Sequence, residues 1–155
     1  MKPYSYRQDP RVPYFEDRPA VTIMDAQCGL CAKGARWIAH NDRRKEFAIV
    51  PLQSSLGRAL IQHYGLNPED PTSWLFLENG KAYTSLDACI RVARRLGGIW
   101  HSALILRLIP ASLGRVLYRW VARNRYGFFG RTDLCNSPDP AIQTRLVTDR
   151  WENVE

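Results

Sequence analysis

No run of apolar residues in this 155-residue chain approaches the roughly 20 needed to cross a bilayer. The opening stretch Met1–Arg7 also lacks the apolar segment of a secretory signal. A cytoplasmic setting is therefore expected, where thiols are kept mostly reduced, with transfer to an organelle left open. Cysteine is scarce. Its four residues are too few for a disulfide scaffold, and a domain of this size buries roughly 68–70% of its unfolded surface without staples. Any conspicuous spacing among the four thus calls for a chemical reason. Histidine is scarcer, with residues at 40, 63 and 101, so a zinc site would have to be gathered from distant positions, including Cys89 and Cys135. The most local absence is of acid. Between Arg91 and Arg131 there are nine arginines and no Asp or Glu, in a chain of formal net charge +7. Such a block suits an acidic partner, nucleic acid or an anionic surface, or is simply a solvated basic face.

What is present reads as one α/β domain, since apolar residues make up 45% of the chain. Residues 1–19, with four prolines among tyrosines and charges, form an extended arm that Tyr4, Tyr6, Tyr14 and Phe15 can pack down. Ala20–Asp25 is a short β-branched run that suits a buried strand. Cys28 to about Asn41 follows as a helix, and Phe47–Leu52 as a second strand. Ser54 or Ser55 caps a helix that runs to Tyr64. Ser73–Glu78 and Lys81–Thr84 flank Asn79-Gly80, the strongest short hairpin signal. A helix over about 86–96 then stops at Gly97-Gly98. Strand, helix, strand, helix, hairpin, helix is the order of a thioredoxin-like fold, spanning residues 20–98. Residues 99–136 are expected as a helical extension packed on that core, with helices over Trp100–Ile109 and Ser112–Arg125. In the second of these Leu113, Val116, Leu117, Trp120 and Val121 share one face, while Arg115, Arg119 and Arg123 line another. Residues 137–155 read as a polar tail, with no clear element before about Pro140–Val147.

The most informative stretch is Asp25-Ala26-Gln27-Cys28-Gly29-Leu30-Cys31. Residues three apart in a first helical turn lie nearly one above the other, within disulfide reach. Free N–H groups and the partial positive charge at a helix start favour a thiolate, and in such settings a cysteine pKa falls from about 8.5 into the range of roughly 3.5–7.5. Cys28 gains most and is expected to attack. Cys31, one turn in and less exposed, is expected to resolve the mixed disulfide. Gly29 lets a substrate backbone approach. Leu30 stands where thioredoxin carries proline, so a strongly reducing potential does not follow. Asp25 either caps the helix start or relays a proton to or from Cys31. Thioredoxin folds set a cis-proline loop before the third strand against the dithiol. Here Pro71-Thr72 lies one residue too far from Asn79-Gly80 for that spacing, so Thr72 and Ser73 are the alternative residues facing the sulfurs. Cys135 is either a third redox thiol or a free loop cysteine. The pattern calls for no cofactor and no metal.

Asp25, Cys28 and Cys31 match the signature of the DCC family of thiol-disulfide oxidoreductases, named for an aspartate and two cysteines. The chain resembles that family further in Pro51-Leu52-Gln53-Ser54, Ser85 with Asp87-Ala88, and Leu108-Ile109-Pro110. The most specific match is Ala122-Arg123-Asn124-Arg125-Tyr126 with Phe129-Gly130-Arg131 and Cys135. The resemblance covers about residues 20–136 and implies a thioredoxin-like fold and redox activity on a protein or small-molecule thiol or disulfide. One departure is Ala26, where the family usually has glycine, a difference that matters if the backbone there needs a positive φ.

A second kind of function competes with the enzyme. The Arg91–Arg131 block interleaves Trp100, Tyr118, Trp120, Tyr126, Phe128 and Phe129, a composition that suits a binding or assembly module for RNA, a protein complex or a membrane surface. On that reading Arg115, Arg119 and Arg123 meet the acidic partner.

Overall fold

In a computed structural model, which describes residues 1–70 and 74–147, the β-branched run at Ala20–Met24 forms strand β1, buried along its whole length. Pro71, Thr72 and Ser73 lie outside the described residues. Helix α1 (Gly29–Asn41) leads to β2 (Phe47–Pro51), then α2 (Ser55–His63), β3 (Leu75–Glu78), β4 (Lys81–Thr84) and α3 (Ser85–Leu96). The strands lie in the order β2-β1-β3-β4. β1 runs parallel to β2, with Ala20 opposite Phe47, and antiparallel to β3, with Ala20 opposite Glu78. One parallel crossover followed by an antiparallel hairpin is the thioredoxin-like arrangement. The hairpin turns at Asn79-Gly80, with φ of 49° and 77°, the left-handed pair that an Asn-Gly turn supplies at least cost.

Alternation along the strands sorts the core onto two faces. Val21, Ile23, Ala48, Val50, Leu75 and Leu77 meet Leu56, Leu60 and Ile61 of α2. Ser54 starts α2 by accepting from Gly57 N at 3.0 Å. The opposite face holds Ala20, Phe47 and Phe76 against Ile38 of α1 and Ala88 and Val92 of α3. Buried Thr22 finds a donor in Trp74 Nε1 at 2.8 Å.

The N-terminal arm and residues 137–147 pack more closely than their composition suggests. In the arm, a single 3-10 turn at Ser5–Gln8 places Tyr6 in the core beneath α2, with Tyr4, Val12 and Phe15 beside it, while Tyr14 points into solvent. His63 fastens this turn, with Nε2 2.8 Å from Ser5 Oγ and Nδ1 2.7 Å from Asp9 Oδ2. Residues 137–147, read from sequence as part of a polar tail, contribute helix α5 (Pro140–Gln143) and the fully buried Ile142. Arg145 is buried in an ion pair with Asp42 at 2.9 Å, and Ile49 exchanges backbone hydrogen bonds with Arg145 and Val147 at 2.8 Å each, covering the β2 edge. The segment docks through these polar contacts and through Ala141, Ile142, Leu146 and Val147, which are too few and too scattered to show as a pattern.

The extension also differs from expectation. Residues Gly98–Leu108 form 3-10 turns with nothing buried, because their apolar side chains point all round and define no face. Trp100 anchors them, edge-on to Trp37 with its Nε1 3.1 Å from Asn41 Oδ1. Helix α4 spans Ala111–Phe129 and packs on α1 and α3. Its packed side is formed by Gly114, Ala122 and Arg125, not by the apolar row expected from sequence. Leu113, Val116, Leu117 and Trp120 are more than half exposed. Small residues let α4 approach closely, since a Cβ at Gly114 would press on Leu86, and Arg125 is drawn inward by a carboxylate described below.

Candidate active site

The dithiol stands where β1 hands the chain to α1. Cys28 is the residue that caps α1, with extended φ and ψ of −92° and 125°, and its carbonyl accepts the first helical bond from Ala32 N at 2.9 Å. Cys31 lies one turn on, against the Cys28 sulfur, and both are free thiols. The thiol of Cys31 is the largest influence on Cys28. Together with the first-turn N–H groups of Cys31 and Leu30 and the charge of Arg125, it outweighs burial and brings the Cys28 pKa down to about 6. The same hydrogen bond, and then burial, push the Cys31 thiol well above the ordinary thiol range. The two sulfurs are thus unequal, with Cys28 the more readily ionised.

Asp25 is held by four donors. Oδ1 accepts from Gln27 N at 2.9 Å and Gln53 Nε2 at 2.7 Å, while Oδ2 accepts from Arg125 Nη2 at 2.9 Å and from the Tyr126 hydroxyl. Burial opposes ionisation, but the hydrogen bonds from Tyr126, Gln27 and Gln53 and the charge of Arg125 prevail and hold the carboxyl below its usual range. Gln53 also accepts from Ala26 N at 3.0 Å, which pins the turn leading to the dithiol. Ala26 is not among the positive-φ residues, so alanine fits here without strain.

The segment after α4 closes the site. Gly130, with φ of 70°, ends α4, and the chain then crosses the motif antiparallel to it. Gly29 N donates to Gly130 O at 3.1 Å, Thr132 N to Gln27 O at 2.9 Å and Leu134 N to Ala26 O at 2.9 Å. A Cβ at position 29 would overlap the Phe129 carbonyl, so the close backbone approach expected of a substrate at Gly29 is made by the protein's own chain. Cys28 is 0% exposed beneath this segment, whereas Cys31 and Leu30 are half-buried. The expected order of exposure is thus reversed, because the covering segment lies over the helix start and not over its first turn.

The structure brings together Asp25, Cys28, Gly29, Leu30 and Cys31. Thr72 and Ser73 lie outside the described residues. Cys135 is exposed just past the covering segment, its carbonyl accepting from Gln143 Nε2 at 3.2 Å. Sequence reasoning assigned Gln53, Arg125 and Tyr126 no role at the dithiol. The available signal was that all three fall within segments resembling the family pattern.

A reduced dithiol at a helix start, on a thioredoxin-like sheet and beside a buried arginine–aspartate pair, defines a protein built for thiol–disulfide chemistry. The chain belongs to the DCC1-like thiol-disulfide oxidoreductase family, whose model matches residues 22–131, from β1 to the segment covering Cys28. It is 32% identical over 127 residues to the uncharacterized protein YuxK of Bacillus subtilis (strain 168), covering 82% of this chain and 93% of YuxK. It is 31% identical over 121 residues to the chloroplastic DCC family protein At1g52590 of Arabidopsis thaliana, covering 77% of this chain and 70% of that protein. No solved structure matches the chain. No helix among the described residues is long and apolar enough to cross a membrane.

Proposed function

We propose that this protein cycles Cys28 and Cys31 between dithiol and disulfide, with Cys28 as nucleophile and Cys31 as resolving thiol. The observation that supports this most is the inequality of the two sulfurs. Cys28, at the helix start, is drawn toward the thiolate at neutral pH, while Cys31 keeps its proton. In the reducing direction the Cys28 thiolate attacks a substrate disulfide, forming a mixed disulfide and releasing one substrate thiolate. Cys31 then loses its proton and attacks the Cys28 sulfur. The Cys28–Cys31 disulfide forms, the second substrate thiolate leaves, and two electrons have passed to the substrate. The reverse sequence oxidises a substrate dithiol. Arg125 supplies positive charge near both sulfurs, and Asp25, ionised and fully hydrogen-bonded, orients Arg125 and the turn at Ala26, so a place as anchor fits it better than proton relay. Residues 129–131 cover Cys28, so on this reading substrate reaches its sulfur only once that segment moves aside.

Equilibration in glutathione redox buffers, read by alkylation and mass spectrometry, tests the proposal. A reversible Cys28–Cys31 disulfide with a potential between about −270 and −120 mV is expected. A dithiol that forms no intramolecular disulfide across that range would contradict it.

A further inference from the structure

We infer that the exposed face of helix α4 is a docking surface for an anionic lipid bilayer. This inference is independent of the redox reading. The packed side of α4 is accounted for by Gly114, Ala122 and Arg125. On the opposite side Leu113, Val116, Leu117, Trp120 and Phe128 are 51–65% exposed, and the rings of Trp120 and Phe128 lie 5.7 Å apart on the surface. At a rise of about 1.5 Å per residue, Leu113 to Phe128 makes an apolar line of about 22 Å along one helix. Asn124, the polar residue on that line, turns its amide back to the Trp120 carbonyl at 2.7 Å. Exposed apolar residues in such a row mark an interaction surface and not a solvated one.

Charge identifies what covers it. Arg115, Arg119 and Arg123 flank the row at one-turn spacing, all exposed. Four of the other six arginines of the acid-free block are held in ion pairs. Arg91, Arg94 and Arg95 pair with Glu78, and Arg125 with Asp25. No ion pair engages the three flanking arginines among the described residues. A second copy of the chain would bring the same arginines to the contact and no carboxylate from this block to meet them. A bilayer carrying anionic headgroups offers both things the face needs. Its apolar margin takes a straight row of Leu, Val, Trp and Phe along the full length of the helix. Its headgroups take arginines whose aliphatic stems reach out from beside that row.

Vesicle flotation of the intact protein tests this, with phosphatidylcholine vesicles compared against vesicles that also contain phosphatidylglycerol. Binding is expected only to the second kind, weakening as salt rises. Both R115Q/R119Q/R123Q and V116S/L117S/W120S should lower the bound fraction more than tenfold. All substituted side chains are exposed, and an unchanged circular dichroism spectrum and Cys28 titration would show that fold and dithiol are intact. No binding to anionic vesicles at low salt overturns the inference. So does binding that needs the arginines but not the apolar row and is matched on RNA, which would indicate a polyanion site. Concentration-dependent dimers that V116S/L117S/W120S abolishes, unaffected by vesicles, would assign the face to self-association and likewise overturn it.

Discussion

Replacing Cys28 with serine is expected to reduce disulfide exchange to background, while Cys31→Ser leaves a protein that attacks substrates once and stalls as a mixed disulfide. The asymmetry follows from where the sulfurs sit. Only Cys28 has the helix start, the first-turn amides and a neighbouring thiol donor acting together on its sulfur. Without Cys31 no sulfur is placed to expel the bound substrate. The choice of residue at 31 matters as well. Serine keeps an O–H donor toward Cys28, but alanine removes what is now the largest influence holding the Cys28 pKa down, so Cys31→Ala should trap more slowly near pH 7 than Cys31→Ser. Gel-shift and mass analysis of adducts after incubation with a disulfide substrate distinguish the variants. Equal adduct yield from Cys28→Ser and Cys31→Ser would remove the assignment of roles.

Asp25→Ala is expected to destabilise the fold by about 3–5 kcal/mol, because it removes the carboxylate that is ion-paired with the buried Arg125 guanidinium. For a domain of this size that corresponds to a fall in melting temperature of about 6–20 °C. The same change frees the Tyr126 hydroxyl and one Gln53 donor, so the turn at Ala26 loosens with it. Replacing both partners, as Asp25→Ala with Arg125→Met, should cost less than the sum of the single changes, since the buried cation is removed together with its carboxylate. The pH dependence has a definite sign. The folded-state pKa of Asp25 lies below the ordinary carboxylate value of about 3.9, so its stabilisation is complete above that value and is lost as pH falls through the lowered one. With Cys28 replaced by serine in both proteins, so that its titration near pH 6 does not intrude, denaturant unfolding should therefore show a gap between the protein with Asp25 and its Asp25→Ala variant that is constant above about pH 5 and closes in acid. A gap of less than about 1 kcal/mol throughout would mean that the pair contributes little.

The sheet and its first three helices were legible because each rests on a local signal: a β-branched run, Ser54 before an apolar helix face, Asn79-Gly80 between two short strands. The dithiol was legible for the same reason, since Cys28 and Cys31 and the helix that positions them are contiguous. The rest of the site was not, because it is built from distant segments. Gln53 comes from the loop after β2, while Arg125 and Tyr126 come from the end of α4, a hundred residues from Asp25. Helical spacing sets Arg125 off the row of Arg115, Arg119 and Arg123, which face solvent, but nothing in the spacing shows that Arg125 turns inward to a carboxylate. The face of α4 was misjudged on the same account. Apolar periodicity marks Leu113, Val116, Leu117 and Trp120 as a packing surface, yet the Arg125–Asp25 pair and the small side chains of Gly114 and Ala122 turn the opposite side toward the core. The burial of Cys28 depends on a backbone pairing with Arg131 that leaves no mark on side-chain pattern at all.

The central claim is that the start of α1, Cys31 and Arg125 together make Cys28 a thiolate at neutral pH. Titration of the reduced protein by thiolate ultraviolet absorbance, with Cys28→Ser subtracted, measures this directly. A midpoint near 6 is predicted, with a shift upward in Arg125→Gln. A midpoint at about 8.5, the value of an unperturbed thiol, and unmoved by Arg125→Gln, would contradict the account.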